Sequence, residues 1–269
     1  MNVFLYIIIF IMGTLFGSFY TLAVYRIPKN VDIVHTHSFC PNCGHKLGFF
    51  ELIPVWSYIL LGAKCKECKQ KIRPRYFILE ILSGLTFVLI AYGLKIDSYN
   101  LNIFSIIKFA FIALYLVAIF IIAGIDKEYK RIEKNVLYYG IGVSCIYIIY
   151  LCIMDATSIY RYVMYLITFI ILLILDCIIL RKSATNSYIL DILMLITMMI
   201  VFTGEWITFF SILTVLLAIG IVKTVVYTKN AFNKFKKEKI NMSDIYKFGY
   251  MICLTNTIYE VTKIFLLHF

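Results

Sequence analysis

Apolar residues in this chain come in blocks of roughly twenty, and that pattern leaves few folds open. In hydrocarbon every backbone N–H and C=O needs a partner within its own segment, so blocks of this length must be helices. Eight of them read as spans, at about 3–25, 76–94, 101–124, 135–154, 160–180, 188–203, 206–227 and 248–267. Composition agrees: 62% of residues are apolar and 15% charged, against about half and a quarter in a water-soluble domain. A soluble globular enzyme, a disordered chain and a disulfide-framed secreted module are excluded. The expected fold is an all-α polytopic membrane protein of about eight transmembrane helices. The first block lacks a basic start and runs into Tyr25, Arg26 and Pro28, so it reads as a span and not as a cleaved signal peptide.

Basic residues set the orientation. Of 26 Lys and Arg, 21 fall on alternate connections: after span 1 (Arg26 to Arg75), span 3 (Lys127 to Lys134), span 5 (Arg181, Lys182) and span 7 (Lys229 to Lys247). The positive-inside rule makes those four connections cytoplasmic and turns both termini outward. The net charge of +11 is then a topology signal, with anionic lipid as a partner. A solvated inner loop accounts for the basic stretch Lys229 to Lys239, and no nucleic-acid partner is expected.

Between spans 1 and 2 lies one sizeable polar segment, about residues 28–75. It holds Cys40-Pro-Asn-Cys43 and, 21 residues later, Cys65-Lys-Glu-Cys68. Paired Cys-x2-Cys knuckles aim four thiolates at one ion, the pattern of a structural Zn²⁺ site. A cytoplasmic loop also keeps thiols reduced, which argues against disulfides. Zinc bound by Cys40, Cys43, Cys65 and Cys68 would staple a small loop domain that has no core of its own. His35, His37 and His45 are alternative ligands. Cys145, Cys152, Cys177 and Cys253 lie within spans and read as small apolar residues.

Four acidic residues stand within or at the ends of spans: Glu80, Asp126, Asp176 and Asp191. Ionisable groups at such depth are costly and mark candidate sites. Asp126, Asp176 and Asp191 all fall near the cytoplasmic boundary. Two carboxylates meeting there could share a proton, activate water and protonate a leaving amide nitrogen. Structural pairing with Lys, or proton or ion transport, is the alternative use of the same residues. Glu80 reads either as a functional residue or as a structural one that hydrogen-bonds between spans or pairs with Arg75.

The first 84 residues carry a more specific signal. Gly17-Ser18-Phe19, Val24-Tyr25-Arg26-Ile27-Pro28, Cys40-Pro-Asn-Cys43-Gly44-His45, Ile53-Pro54-Val55-Trp56-Ser57-Tyr58, Cys65-x-x-Cys68 and Pro74-Arg75-Tyr76, followed by Glu80 and Gly84, occur in that order. This combination strongly resembles the bacterial type IV prepilin peptidases. The resemblance implies a membrane aspartic endopeptidase of the plasma membrane that cleaves the leader from prepilins or pseudopilins at the cytoplasmic face. It also implies S-adenosylmethionine-dependent N-methylation of the new terminus. Asp126 matches the family's first aspartate position, and Asp191, 65 residues on, the second. Tyr188-Ile189-Leu190-Asp191 stands where the family has Gly-x-Gly-Asp, and Leu193 where it has Lys; Asn186 or Ser187 could cap that helix. Phe248-Gly249-Tyr250 resembles its Phe-Gly-Pro. The expected organisation is a first helix (1–27), the four-cysteine zinc loop (28–75) and a seven-helix membrane peptidase domain (76–269). The alternative is an inactive relative serving as an assembly component of a pilus or secretion apparatus.

Overall fold

A computed structural model describes residues 2–97, 102–182, 188–232 and 248–266. Its helices are α1 (Asn2–Arg26), α2 (Trp56–Leu60), α3 (Pro74–Gly93), α4 (Ile103–Tyr129), α5 (Lys134–Met154), α6 (Ile159–Lys182), α7 (Tyr188–Thr203), α8 (Glu205–Phe232) and α9 (Phe248–Leu266). Apart from short α2, these fall on the eight expected apolar blocks. Among the described residues, six are long and apolar enough to cross a membrane: α1, α3, α4, α5, α6 and α8. Helix α7 has 16 residues and so measures only ~24 Å, short of a bilayer core. The apolar run of α9 is broken by the polar residues Asn256, Glu260 and Lys263. The side chains of Arg181 and Lys182, the cap positions Asn186 and Ser187, and most of the basic stretch beyond Lys229 lie outside the described residues.

The chain divides into two compact units, residues 1–117 with 263–269, and residues 118–262. In the first, α1 and α3 lie against each other along their length. Their approach is closest at glycines spaced four apart on α1. A Cβ on Gly13 would sit 2.8 Å from Gly84 Cα, and one on Gly17 would sit 2.9 Å from Glu80 Cα. Small residues at that spacing let two helix backbones touch, which in lipid replaces the hydrophobic drive of a soluble core. Phe16 and Phe87 stack beside the glycines with ring centroids 5.3 Å apart.

Gly17→Val is expected to destabilise this pair by about 1–3 kcal/mol, since the added atoms meet α3 backbone and not a yielding side chain. Thermal unfolding of the purified protein reads the loss. Gly142→Ala, at a glycine with nothing within 4 Å of the new Cβ, is the neutral comparison. Equal stability of the two variants would contradict the close-packing account.

In the second unit α7 is central and packs against α5, α6 and α8. Leu190, Met194, Leu195, Met198 and Met199 are buried, as befits a helix that is apolar on all sides. Gly140 of α5 leaves room for Met198. Helix α6 instead turns Val163, Ile167, Ile170, Ile174 and Ile178 outward, the stripe a lipid-facing helix presents.

Candidate active site and metal centre

The segment after α1 is held by one side chain. Arg26, at the end of α1, is buried, and its guanidinium donates to the carbonyls of Asp32, Ile33, Thr36 and His37 at 2.8–3.2 Å. Five N–H donors in a planar fork suit such a cluster of carbonyls. The loop continues into two knuckles built alike. In the first, Cys40 N–H donates to His45 O and Gly44 N–H to Cys40 O; in the second, Cys65 N–H donates to Gln70 O and Lys69 N–H to Cys65 O. Gly44 and Lys69 occupy equivalent left-handed positions, with φ of 73° and 57°. Glycine is free to do this; Lys69 adopts it at a cost of about 1 kcal/mol.

The knuckles bring Cys40, Cys43, Cys65 and Cys68 together, all four sulfurs lying within 4.8 Å of one another. Cys40 Sγ is 3.8 Å from Cys68 Sγ, and Cys43 Sγ is 4.0 Å from Cys65 Sγ. Four thiolates at about 2.3 Å from a tetrahedral Zn²⁺ would be about 3.8 Å apart, so the donor set fits a metal ion of that kind. Backbone amides of Cys43 and Asn42 lower the Cys40 thiol below its ordinary range. The Asn42 side-chain amide, then the Gln70 backbone, bring Cys68 down to about 6. At Cys43 the His45 amide favours the thiolate, but desolvation and the neighbouring sulfurs outweigh it and push the thiol up to about 11. Four sulfurs in one pocket resist full ionisation without a cation between them. The histidines are otherwise engaged or apart from the cluster. His35 Nδ1 is 2.7 Å from Asp32, and His45 Nε2 is 3.1 Å from Glu51, whose carboxylate also accepts from Gly48 N–H.

Glu80 takes the expected role of a hydrogen-bonding group between spans, and also reaches the loop. Its Oε2 accepts from the backbone N–H of Val55 at 2.7 Å, and its carboxylate also accepts from Ser18. It thus ties the loop to α1 and α3 where Val55 adopts φ +63°.

The three aspartates of the second unit are all buried, with exposures of 0% (Asp126), 1% (Asp176) and 2% (Asp191), but they are satisfied differently. Asp176 on α6 is neutralised. Its Oδ1 is 2.5 Å from Lys134 Nζ, and its Oδ2 accepts from Tyr138 OH at 2.6 Å. Lys134 and Tyr138 are four residues apart on α5, so both reach one carboxylate from the same helix face. Asp126 on α4 accepts twice: Oδ1 from Tyr188 OH at 3.0 Å, and Oδ2 from the Tyr250 backbone N–H at 2.8 Å. Tyr188 OH in turn accepts from Gly249 N–H at 3.2 Å. A Cβ at Gly249 would come within 3.1 Å of Asp126 Oδ2, so the glycine sets how closely α9 approaches the carboxylate.

Asp191 differs from both. Its Oδ1 is buried and has no hydrogen-bond partner. An unsatisfied buried polar atom is costly, and is a common mark of a site whose partner arrives from outside. Asp191 stands three residues beyond Tyr188 on α7, one helical turn from the residue whose hydroxyl binds Asp126. Lys134 and Asp176 lie within its electrostatic reach. Tyr188 therefore links α7 to the Asp126 carboxylate, and the α7 carboxylate follows on the next turn.

Comparison with known proteins places the first unit. Residues 11–94 match the bacterial peptidase A24 N-terminal domain. A prepilin leader peptidase/N-methyltransferase of Vibrio cholerae serotype O1 is 33% identical over 147 residues, covering 51% of this chain and 54% of that protein. One from Bacillus subtilis is 33% identical over 132 residues, 49% of this chain and 50% of that protein. One from Myxococcus xanthus is 40% identical over 81 residues, 30% of this chain and 24% of that protein.

The chain is similar to prepilin leader peptidases over about half its length.

It spans about half the length of the first of these relatives, and no solved structure matches it. The stretch matched to the prepilin peptidase N-terminal domain contains the glycine-packed α1–α3 pair, Arg26, the four-cysteine cluster and Glu80. The carboxylate cluster lies beyond it. Lys134, Tyr138 and Tyr188 are the partners of the buried aspartates that the sequence motifs do not reveal. The spacing of Lys134 and Tyr138 on one helix face was the available signal for the first two. Tyr188 carried no signal of gain, since in sequence it registers only as a missing glycine.

Proposed function

We propose that this chain is an intramembrane aspartic endopeptidase that removes the leader of type IV prepilins or pseudopilins at the cytoplasmic face of the bacterial plasma membrane, with Asp126 and Asp191 as its pair. The observation that carries this reading is the contrast among the three buried aspartates: only Asp191 holds a carboxylate oxygen without a partner, one helical turn along α7 from Tyr188, whose hydroxyl binds Asp126. Asp176, closed off by Lys134 and Tyr138, is structural.

The roles follow from the donors. An ionised carboxylate only accepts, and Asp126 accepts from an N–H and an O–H, so it is the base. Asp191 carries the pair's proton. A water seated between them loses a proton to Asp126 as its oxygen attacks the scissile carbonyl carbon, while Asp191 protonates the carbonyl oxygen. The tetrahedral intermediate then collapses. The C–N bond breaks as the amide nitrogen takes the proton held by the Asp126 carboxyl, and a hydroxyl of the intermediate returns its proton to Asp191 as the C=O bond re-forms. The substrate's own apolar helix packs laterally against the spans, and its basic leader meets anionic lipid at the inner face. Nucleic acid has no part in this scheme.

The four cysteines are proposed to hold a structural Zn²⁺, which supplies a cross-link and no open coordination position. Metal analysis of the purified protein should give about one zinc per chain, and Cys65→Ser should lose it together with protease resistance of residues 28–75. Zinc-free wild type with a protease-resistant loop would refute this. N-methylation with S-adenosylmethionine is proposed from the names of the relatives and is assigned to no residue.

Co-expression with a cognate prepilin tests the peptidase reading through the mobility shift on leader loss. Wild type should process the substrate and Asp126→Asn should not. Processing by neither, with both proteins present in the membrane, would favour the inactive relative acting in pilus or secretion assembly. What favours that second reading is the Tyr188 side chain itself, which fills space that a glycine would leave beside Asp126.

A further inference from the structure

The loop between α1 and α3 exposes more apolar surface than a soluble loop would. Phe49 and Phe50 are each 78% exposed, Leu60 66%, Trp56 and Ile59 58%, and Leu52 45%. None serves the four-cysteine cluster. A contiguous group of this kind marks a surface that is covered in use.

Its position says what covers it. Val55 N–H is bonded to Glu80, six residues inside α3 and therefore ~9 Å along it. The same carboxylate accepts from Ser18, eight residues inside the end of α1. Tyr58 stacks on Phe77 of α3 with ring centroids 4.8 Å apart. The segment carrying the exposed aromatics thus folds back alongside the first turns of the spans. Ile78 and Leu79, which follow Phe77 on α3, are exposed as well. The chain after the segment is strongly basic and exposed, with Lys64, Lys66, Lys69, Lys71 and Arg73, and exposed Lys46 stands before it.

We propose that residues 49–61 form an interfacial membrane anchor, with Phe49, Phe50, Trp56 and Leu60 seated at the headgroup–acyl boundary of an anionic bilayer. Aromatic side chains concentrate at that boundary, and an anchor of this type buries its apolar face by about 5–10 Å. The flanking lysines lie where anionic headgroups attract them. The anchor fixes the height of the two cysteine knuckles over the membrane, because the knuckles flank it on both sides in sequence. Glu80 then acts as the tie that keeps the anchor against α3. Such an anchor requires α1 and α3 to span the membrane and is independent of the peptidase reading.

The chain has two tryptophans, Trp56 and Trp206, so Trp206→Phe leaves Trp56 as the only indole. The full-length variant in vesicles of phosphatidylcholine and phosphatidylglycerol is compared with the same vesicles carrying acyl chains brominated near the headgroup, and with added aqueous iodide. The proposal expects emission to fall by about twofold or more with brominated lipid and to change little with iodide. Strong iodide quenching with no effect of bromine would show a water-exposed loop and overturn it. Protection from both quenchers would show a protein cover, such as a second copy, and also overturn it. The variant Trp56→Phe, Trp206→Phe, Phe50→Trp should repeat the pattern from a neighbouring position, which guards against a local effect at residue 56.

Discussion

Asp191→Asn should abolish leader removal, lowering the rate by at least about a thousandfold while the protein still accumulates in the membrane. The substitution keeps shape and removes the titratable proton, and an acid–base group in such a pair contributes about 10²–10⁴ in rate on its own. Little stability is at risk, because the Asp191 Oδ1 makes no hydrogen bond that an amide would lose. Asp176→Asn is the informative companion. Its carboxylate is occupied by Lys134 and Tyr138, so cleavage should continue once any loss of folded protein is corrected for. If Asp176→Asn stopped cleavage and Asp191→Asn did not, the second member of the pair would be Asp176 and the account of the site would fail. Both assays are read as the fraction of prepilin processed per unit of folded enzyme.

Lys134→Met is predicted to cost about 3–5 kcal/mol of stability, the larger structural effect in the molecule. The ion pair with Asp176 is nearly closed to solvent, with side-chain exposures of 13% and 2%. Removing the cation leaves a buried carboxylate whose remaining partner is a tyrosine hydroxyl. Much of that loss is the penalty of the stranded charge and not the worth of the pair. The double variant Lys134→Met with Asp176→Leu should therefore recover most of the stability, since apolar residues of similar volume often replace a buried pair without loss. Unfolding of the four proteins in detergent measures the coupling. A double variant as unstable as Lys134→Met alone would contradict the assignment of Asp176 as charge-paired.

The helices were legible because hydrocarbon leaves the backbone no alternative, and a run of twenty apolar residues states its own structure. The four-cysteine cluster was legible for a similar reason: two Cys-x2-Cys turns have few ways to satisfy four sulfurs. What escaped was contact between segments far apart in the chain. Gly13 sits inside an apolar block where hydropathy hides it, and Gly17 shows only as part of a motif, yet the two decide how α1 meets α3. Lys134 counts toward topology in sequence, and only the fold shows that its ammonium ends on Asp176 across forty-two residues. Gly249 stands out in sequence as part of a motif. Its reason, the approach of α9 to the Asp126 carboxylate, is visible only in three dimensions. Tyr188 is the sharpest case. In sequence it is a departure from Gly-x-Gly-Asp, whereas in the structure its hydroxyl binds the first carboxylate and its backbone leads one turn on to the second.

The measurement that tests the central claim most directly is cleavage of a purified cognate prepilin by this protein in proteoliposomes, followed by mass spectrometry of both fragments. The account predicts one cut at the leader boundary by wild type and none by Asp126→Asn or Asp191→Asn. The same spectra show whether the new terminus carries an added methyl group when S-adenosylmethionine is supplied. An intact prepilin after incubation with folded, zinc-loaded wild type, or cleavage by either aspartate variant at the wild-type rate, would contradict it.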